Sequence, residues 1–231
     1  MTVRGTARRL LRRDRSSSQA ADPTWVRELL SPARCALLVV DVQNDFVHPE
    51  GRIGPGRARG RYGTALAAIN SLVGAARRAD VPVIFIRTEH GPDLDSAAYR
   101  AVRARRPRAT EGVCLVGTWG AEFATGLDGP LAGDRVVIKH SYDGFARAEL
   151  AALLAAAGRD AVVVTGVATT LCVLATVAGA FEHGLYAIVP REATAASDGA
   201  GARAALHRIE TSYGDVVAAA LVLDAWRSLR A

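Results

Sequence analysis

The 231-residue sequence predicts an α/β protein, with three α/β/α layers built on a Rossmann-like parallel sheet of about six strands. Three observations carry that prediction. Short runs rich in Val, Ile and Leu recur along the chain and are apolar at consecutive positions, the pattern of strands covered on both faces. Segments of helical periodicity separate these runs. Polar or charged residues stand at the carboxyl ends of the runs, where open parallel sheets place their sites.

The elements follow in order. WVRELL (25–30) reads as a short helix, and ALLVVD (36–41) as a buried strand ending in a carboxylate. The Gly/Arg/Pro-rich stretch 51–61 reads as a loop. TALAAINSLVGAARRAD (64–80) has helical periodicity, and VPVIFIR (81–87) is a second strand. Residues 88–134 read as irregular. RVVIK (135–139) is a third strand, and ARAELAALLAAAG (146–158) is a helix stopped at Gly158. AVVVTG (161–166) is a fourth strand, followed by a helix from about Thr170 to His183. LYAIVP (185–190) is a fifth strand, GARAALHRIET (201–211) a helix, and DVVAA (215–219) a sixth strand leading into a C-terminal helix that ends near Leu229.

Composition narrows the function classes. Half of the residues are apolar and 6% aromatic, so Ala, Val and Leu carry the core. The net charge of +6 is concentrated at one end: six arginines against Asp14 give residues 1–20 a charge of +5. Residues 1–20 therefore read as a disordered Arg/Ser-rich extension, and 21–231 as a single domain. A near-neutral domain does not argue for nucleic-acid binding. No apolar run approaches the ~18 residues of a membrane span. Cys35, Cys114 and Cys172 form neither a disulfide framework nor a CxxC motif, which favours a reducing, cytoplasmic setting.

One count singles out a residue. Of the 29 basic residues, 28 are arginine, and Lys139 is the lone lysine. It ends the third strand, where a point charge with a tunable pKa suits a buried partner better than a wide guanidinium that stays protonated. Asp41 ends the first strand, and Cys172 lies in the turn that opens the helix after the fourth. On this topology an acid, an amine and a thiol converge on one edge of the sheet. A thiol at a helix N-terminus has a lowered pKa, the amides of that turn can hold an oxyanion, and a carboxylate beside it can take its proton. Each residue also has a plainer reading: a structural core cysteine, a turn-capping aspartate, a surface lysine.

With these residues in view, the chain resembles the isochorismatase-like cysteine hydrolases. The resemblance rests on LLVVDVQNDFV (37–47), VVIKHSYDGF (136–145) and TGVATTLCVLATVAGAFEHGLYAIVPREATAA (165–196), and runs from about residue 35 to 229. It implies the isochorismatase-like fold and an Asp–Lys–Cys triad of Asp41, Lys139 and Cys172. It also implies a cis peptide between Val167 and Ala168, with the Ala168 and Cys172 amides as oxyanion hole. GTWGAEF (117–123) and HRIETSYGDV (207–216) look most like the ureidoacrylate, biuret and N-carbamoylsarcosine amidohydrolases. That branch implies C–N cleavage in a small ureido or linear amide compound, through a thioester and without a cofactor. Nicotinamidases carry an Asp-x-His…His metal site after strand two. Here RTEHGPDLDS (87–96) has only His90, so no metal is expected. Thr169-Thr170 stands where the family often writes Thr-Asn, and Thr170 is expected to cap the helix.

Asn44, Phe46, Thr88, Glu89, His90, Trp119, Tyr142 and Tyr213 are the candidate substrate contacts. The cluster Arg100, Arg103, Arg105, Arg106 and Arg108 reads as a solvated face, a carboxylate contact or a subunit contact. The resemblance further implies a homodimer or homotetramer. Two other readings stand beside the amidohydrolase: a vinyl-ether hydrolase of the isochorismate type, and a non-catalytic scaffold.

Overall fold

The computed structural model describes residues 23–228 except 55, 57, 58 and 106–111. The extension 1–20 and Arg106 and Arg108 lie outside the described residues.

The elements run α1 (Pro23–Leu29), β1 (Cys35–Val40), α2 (Asn44–Val47), α3 (Arg59–Arg78), β2 (Val83–Thr88) and α4 (Ala97–Ala104). Then come a 3-10 turn (Trp119–Ala121), β3 (Arg135–Lys139), α5 (Ala148–Ala156), β4 (Ala161–Val167), a π-helical turn (Thr169–Val173) and α6 (Leu174–Glu182). The chain closes with β5 (Tyr186–Pro190), β6 (Thr194–Ala195), α7 (Gly199–Ser212), β7 (Gly214–Val217) and α8 (Ala219–Arg227).

Every strand pairing is parallel, in the order β3-β2-β1-β4-β5-β7, with the two-residue β6 pairing β4. The sheet thus has one short strand more than the sequence predicts. The chain winds outward from β1 to β3 and then returns to the other side of β1, so the winding reverses between β1 and β4. Crevices at such a reversal, beyond the strands' carboxyl ends, are where open α/β sheets bind ligands.

Each strand residue faces one of two layers, as the period of two requires. Leu37, Val39, Phe85 and Val163 pack with Leu29, Ile69, Leu72 and Trp226, which belong to α1, α3 and α8. Leu38, Val40, Ile86, Val137 and Val164 pack with Leu150, Leu154, Val177 and Ile209, from α5, α6 and α7. All six residues of β1 are buried, consistent with its unbroken apolar run.

Three segments depart from the sequence reading, the first being α3, which begins at Arg59, inside the stretch read as a loop. The stretch 88–134 contains α4, an eight-residue helix capped by the Ser96 hydroxyl, which accepts from the Tyr99 N–H. α4 buries none of its residues and takes no part in the core. Residues 169–183 are not one α-helix. The chain passes through the π-turn first, and α6 begins only at Leu174.

Close backbone contact explains Gly166. Its φ is +118°, and a Cβ there would stand 2.0 Å from the Val40 carbonyl oxygen on β1. Only glycine lets β4 lie against β1 at this point, one residue before Asp41.

Candidate active site

Asp41 leaves the end of β1 with φ +53°, a left-handed conformation that Asp tolerates better than most residues. Its N–H donates to the Ile86 carbonyl at 2.8 Å. The next turn is locked by Gln43, whose amide donates to the carbonyls of Thr88 and Ala121 and accepts from the Thr88 N–H, all at 2.8 Å. This brace ties the exit of β1 to the exit of β2. It gives no sign in the sequence beyond a polar residue in an apolar neighbourhood.

Lys139 pairs with Thr88 in the β2–β3 register and lies on the same sheet face as Val137. β3 and β1 lie two strand spacings apart, about 10 Å, and the Lys139 and Asp41 side chains together bridge that gap beside β2. The Nζ donates to Asp41 Oδ2 at 2.7 Å and to the Ser141 carbonyl at 2.8 Å. Both side chains of this ion pair are fully buried. Burial alone would lower the lysine pKa. The Asp41 carboxylate, by its charge and its hydrogen bond, outweighs burial and holds it above the usual value, so the ammonium persists.

Cys172 lies in the π-turn and retains 7% of its surface exposed. Burial first and Asp41's charge second push its thiol well above the ordinary range, against the pull of Lys139. The expectation of a pKa lowered by a helix N-terminus is therefore corrected: the resting group is a protonated thiol. Thr170 likewise makes no capping hydrogen bond. The Asp41 carboxylate presents one oxygen to Lys139, while its buried Oδ1 has no hydrogen-bond partner. The peptide between Val167 and Ala168 is cis.

Cys172 is the member of the three that reaches a cavity of about 220 Å³. That volume lies below the ~300–1,000 Å³ of pockets for drug-sized ligands, and fits a small compound. Of the residues singled out in the sequence, Phe46, Thr88, His90, Tyr142 and Ala168 line it, together with Ile53, Tyr62, Leu171, Ser197 and Arg103. The last five were not singled out as contacts, except Arg103 as one of a cluster. Leu171 stands beside Cys172 and Ser197 directly follows its motif, whereas Ile53, Tyr62 and Arg103 come from segments remote from the triad motifs, and only the fold brings them to the cavity.

Four expected contacts lie elsewhere. Asn44 is buried, but its amide bridges to the Trp119 carbonyl and the Thr125 N–H, fixing the loop 119–125. Glu89 faces the opposite side of β2 from Thr88 and pairs with Arg87 at 2.6 Å. Trp119 is 44% exposed and packs edge-on against His48. Tyr213 caps α7 and packs against Phe181, away from the cavity.

His90 is committed within the wall. Its Nδ1 lies 2.7 Å from Asp95 Oδ1, and its Nε2 lies 2.8 Å from the Tyr99 hydroxyl and 3.1 Å from Thr88 Oγ1. Burial, opposed by Asp95, lowers its pKa, which leaves a neutral ring donating from Nδ1 and accepting at Nε2. Among the described residues no group of three or more His, Cys, Asp or Glu is placed to hold a metal ion. Cys35 and Cys114 are fully buried; burial pushes the Cys35 thiol up to about 12 and raises Cys114 as well.

A fully buried Asp–Lys pair behind a cavity-facing cysteine, at the winding reversal of a parallel sheet, invites comparison with known proteins. An isochorismatase domain model matches residues 35–220. The chain belongs to the isochorismatase family. It is 34% identical over 199 residues to the ureidoacrylate amidohydrolase RutB of Methylobacterium radiotolerans, covering 80% of this chain and 76% of that one. A cysteine hydrolase structure from Pseudomonas syringae pv. phaseolicola superposes with a TM-score of 0.76 at 27% identity, covering 86% of this chain and 94% of that one. N-carbamoylsarcosine amidase from Thermoplasma acidophilum superposes at 0.66 and 28% identity, covering 80% and 96%. The parallel three-layer fold is the fold of this family.

Proposed function

We propose that this member of the isochorismatase family is a cysteine-dependent amidohydrolase that cleaves a C–N bond in a small ureido or linear amide compound. It is a hydrolase of carbon–nitrogen bonds other than peptide bonds. The similarity to enzymes named as ureidoacrylate amidohydrolase and N-carbamoylsarcosine amidase supports the bond type.

One observation carries the mechanism. Asp41 is a buried carboxylate with Oδ2 held by Lys139 and Oδ1 without a partner, close enough to Cys172 to raise its pKa. Oδ1 takes the thiol proton as the sulfur attacks the substrate carbonyl. The Ala168 and Cys172 N–H groups hold the oxygen that gains charge. Asp41 returns the proton to the nitrogen as the C–N bond breaks, leaving a thioester on Cys172 and a free amine or ammonia. A water then gives a proton to Asp41 and attacks the thioester, and the departing sulfur recovers that proton. Lys139 stays charged throughout and keeps Asp41 ionised between steps. A thiol with a raised pKa suits this scheme, because the proton moves only when substrate is in place.

The test pairs turnover with trapping. Cys172→Ala should lose ammonia release from ureido compounds while its circular dichroism matches the wild type. Mass spectrometry of quenched wild-type protein should find the acyl adduct on Cys172. Full activity of Cys172→Ala, or an adduct on another residue, would overturn the proposal. Hydrolysis without release of ammonia or amine would favour the vinyl-ether reading instead.

A further inference from the structure

The cavity wall has an uneven charge. Among its described lining residues, Arg103 alone carries a formal charge, since His90 is neutral and the others are apolar, hydroxyl or thiol groups. No carboxylate among the described residues pairs with Arg103. Its Nε is buried and has no hydrogen-bond partner. Leaving a half-buried guanidinium without a counter-ion is costly, so its presence needs a reason.

Folding does not supply that reason. Arg103 sits on α4, a helix with no buried residues, so no core depends on it. The guanidinium is nevertheless held in place. It lies over the Tyr99 ring at 4.8 Å and donates from Nη2 to the Tyr99 hydroxyl. That hydroxyl donates to His90 Nε2, and His90 Nδ1 donates to Asp95. The Tyr99 and His90 rings stack with centroids 4.5 Å apart. A chain of four side chains thus fixes one cation at the cavity wall. By contrast, its neighbour Arg100 donates to the backbone carbonyls of Pro92 and Asp95.

We propose that Arg103 binds a carboxylate of the substrate, so that the cavity takes a small ureido or amide acid rather than a neutral amide. This deepens the amidohydrolase reading and rests on it for the identity of the scissile bond. The carboxylate occupies the Arg103 end of the cavity and the scissile carbonyl the Cys172 end. A planar guanidinium presents paired N–H donors in the geometry that the two oxygens of a carboxylate accept.

Binding separates this inference from catalysis. 3-Ureidopropionate and its methyl ester are titrated calorimetrically into Cys172→Ala and into Cys172→Ala carrying Arg103→Gln or Arg103→Lys. The acid should bind the single variant about 10- to 100-fold more tightly than the ester. Arg103→Gln should bring that ratio close to one, and Arg103→Lys should retain part of it. Equal binding of acid and ester by the single variant, binding of neither, or a ratio that survives Arg103→Gln overturns the proposal. If Arg103→Gln loses both ligands, the Lys variant decides: a retained preference for the acid supports the proposal, and equal binding refutes it. Release of ammonia or amine by wild type is measured separately. Its absence would sink the amidohydrolase reading while leaving the carboxylate preference standing.

Discussion

Replacing Lys139 with arginine keeps the charge and should still inactivate the protein. The lysine has three N–H donors and makes two hydrogen bonds, to Asp41 Oδ2 and the Ser141 carbonyl, in a site without solvent access. Arginine brings five donors in a rigid fork. Even if both Asp41 oxygens and the Ser141 carbonyl accept, two donors stay buried and unpaired. At about 1–3 kcal/mol each this costs roughly 2–6 kcal/mol, before a further ~1–3 for overpacking. That is a large share of the ~5–15 kcal/mol by which domains are stable. The surviving folded protein would be inactive for a second reason. A guanidinium gripping both oxygens occupies Oδ1, the atom assigned to take the Cys172 proton, and general-base catalysis contributes ~10²–10⁴ in rate. Urea denaturation and ammonia release on Lys139→Arg check both parts. A wild-type midpoint with wild-type turnover would refute the reasoning.

Three other perturbations have signed outcomes. Gly166→Ala places a methyl 2.0 Å from the Val40 carbonyl at φ +118°, so it should cost at least ~3 kcal/mol or prevent folding, read as a lowered melting temperature or insoluble expression. Iodoacetamide should label Cys172, on the cavity wall, before the fully buried Cys35 and Cys114. The rate should keep climbing past the ordinary thiol value of 9.0, because burial and Asp41 raise the pKa; peptide mapping that shows a plateau below that pH contradicts it. His90 is held below its ordinary value of 6.5, so the native state resists a proton that the unfolded chain accepts. Its contribution is therefore present above that value and lost as pH falls through it towards the lower native value, by at most about 1.4 kcal/mol per pH unit. Urea midpoints should fall more between about pH 7.5 and about pH 5 in wild type than in His90→Gln.

The fold and the buried Asp41–Lys139 pair were legible for a common reason. Strands covered on both faces leave unbroken apolar runs, and a charge at the end of such a run stands out. Asp41 and Lys139 are buried charges that show themselves in that way. Cys172 is legible by its place after β4, but its electrostatics were misread. A cysteine in the first turn after a strand suggests a helix N-terminus, whereas burial and the neighbouring carboxylate dominate its proton affinity. Proximity in sequence misled at Glu89, one residue from Thr88 but on the other sheet face, as strand alternation dictates. Asn44, Trp119 and Tyr213 failed because loops and caps, which carry no period, decide where they point. α4 was missed because it is only eight residues long and none of them joins the core, and the cation it delivers to the cavity was lost among neighbouring arginines.

The ammonium that holds Asp41 hangs from β3, and β3 is the edge of the described sheet, with only β2 beside it. Arg135 and Val136 at its start are exposed. Edge strands open locally at a fraction of the global unfolding free energy. The partner carboxylate, 98 residues earlier, sits near the centre of the sheet. A brief detachment of β3 would strand a negative charge in the interior while the rest of the molecule stayed intact. The ion pair therefore works as a tether in reverse, with the site securing the border. Enzyme activity should fade at denaturant concentrations where the central strands still protect their amides from exchange.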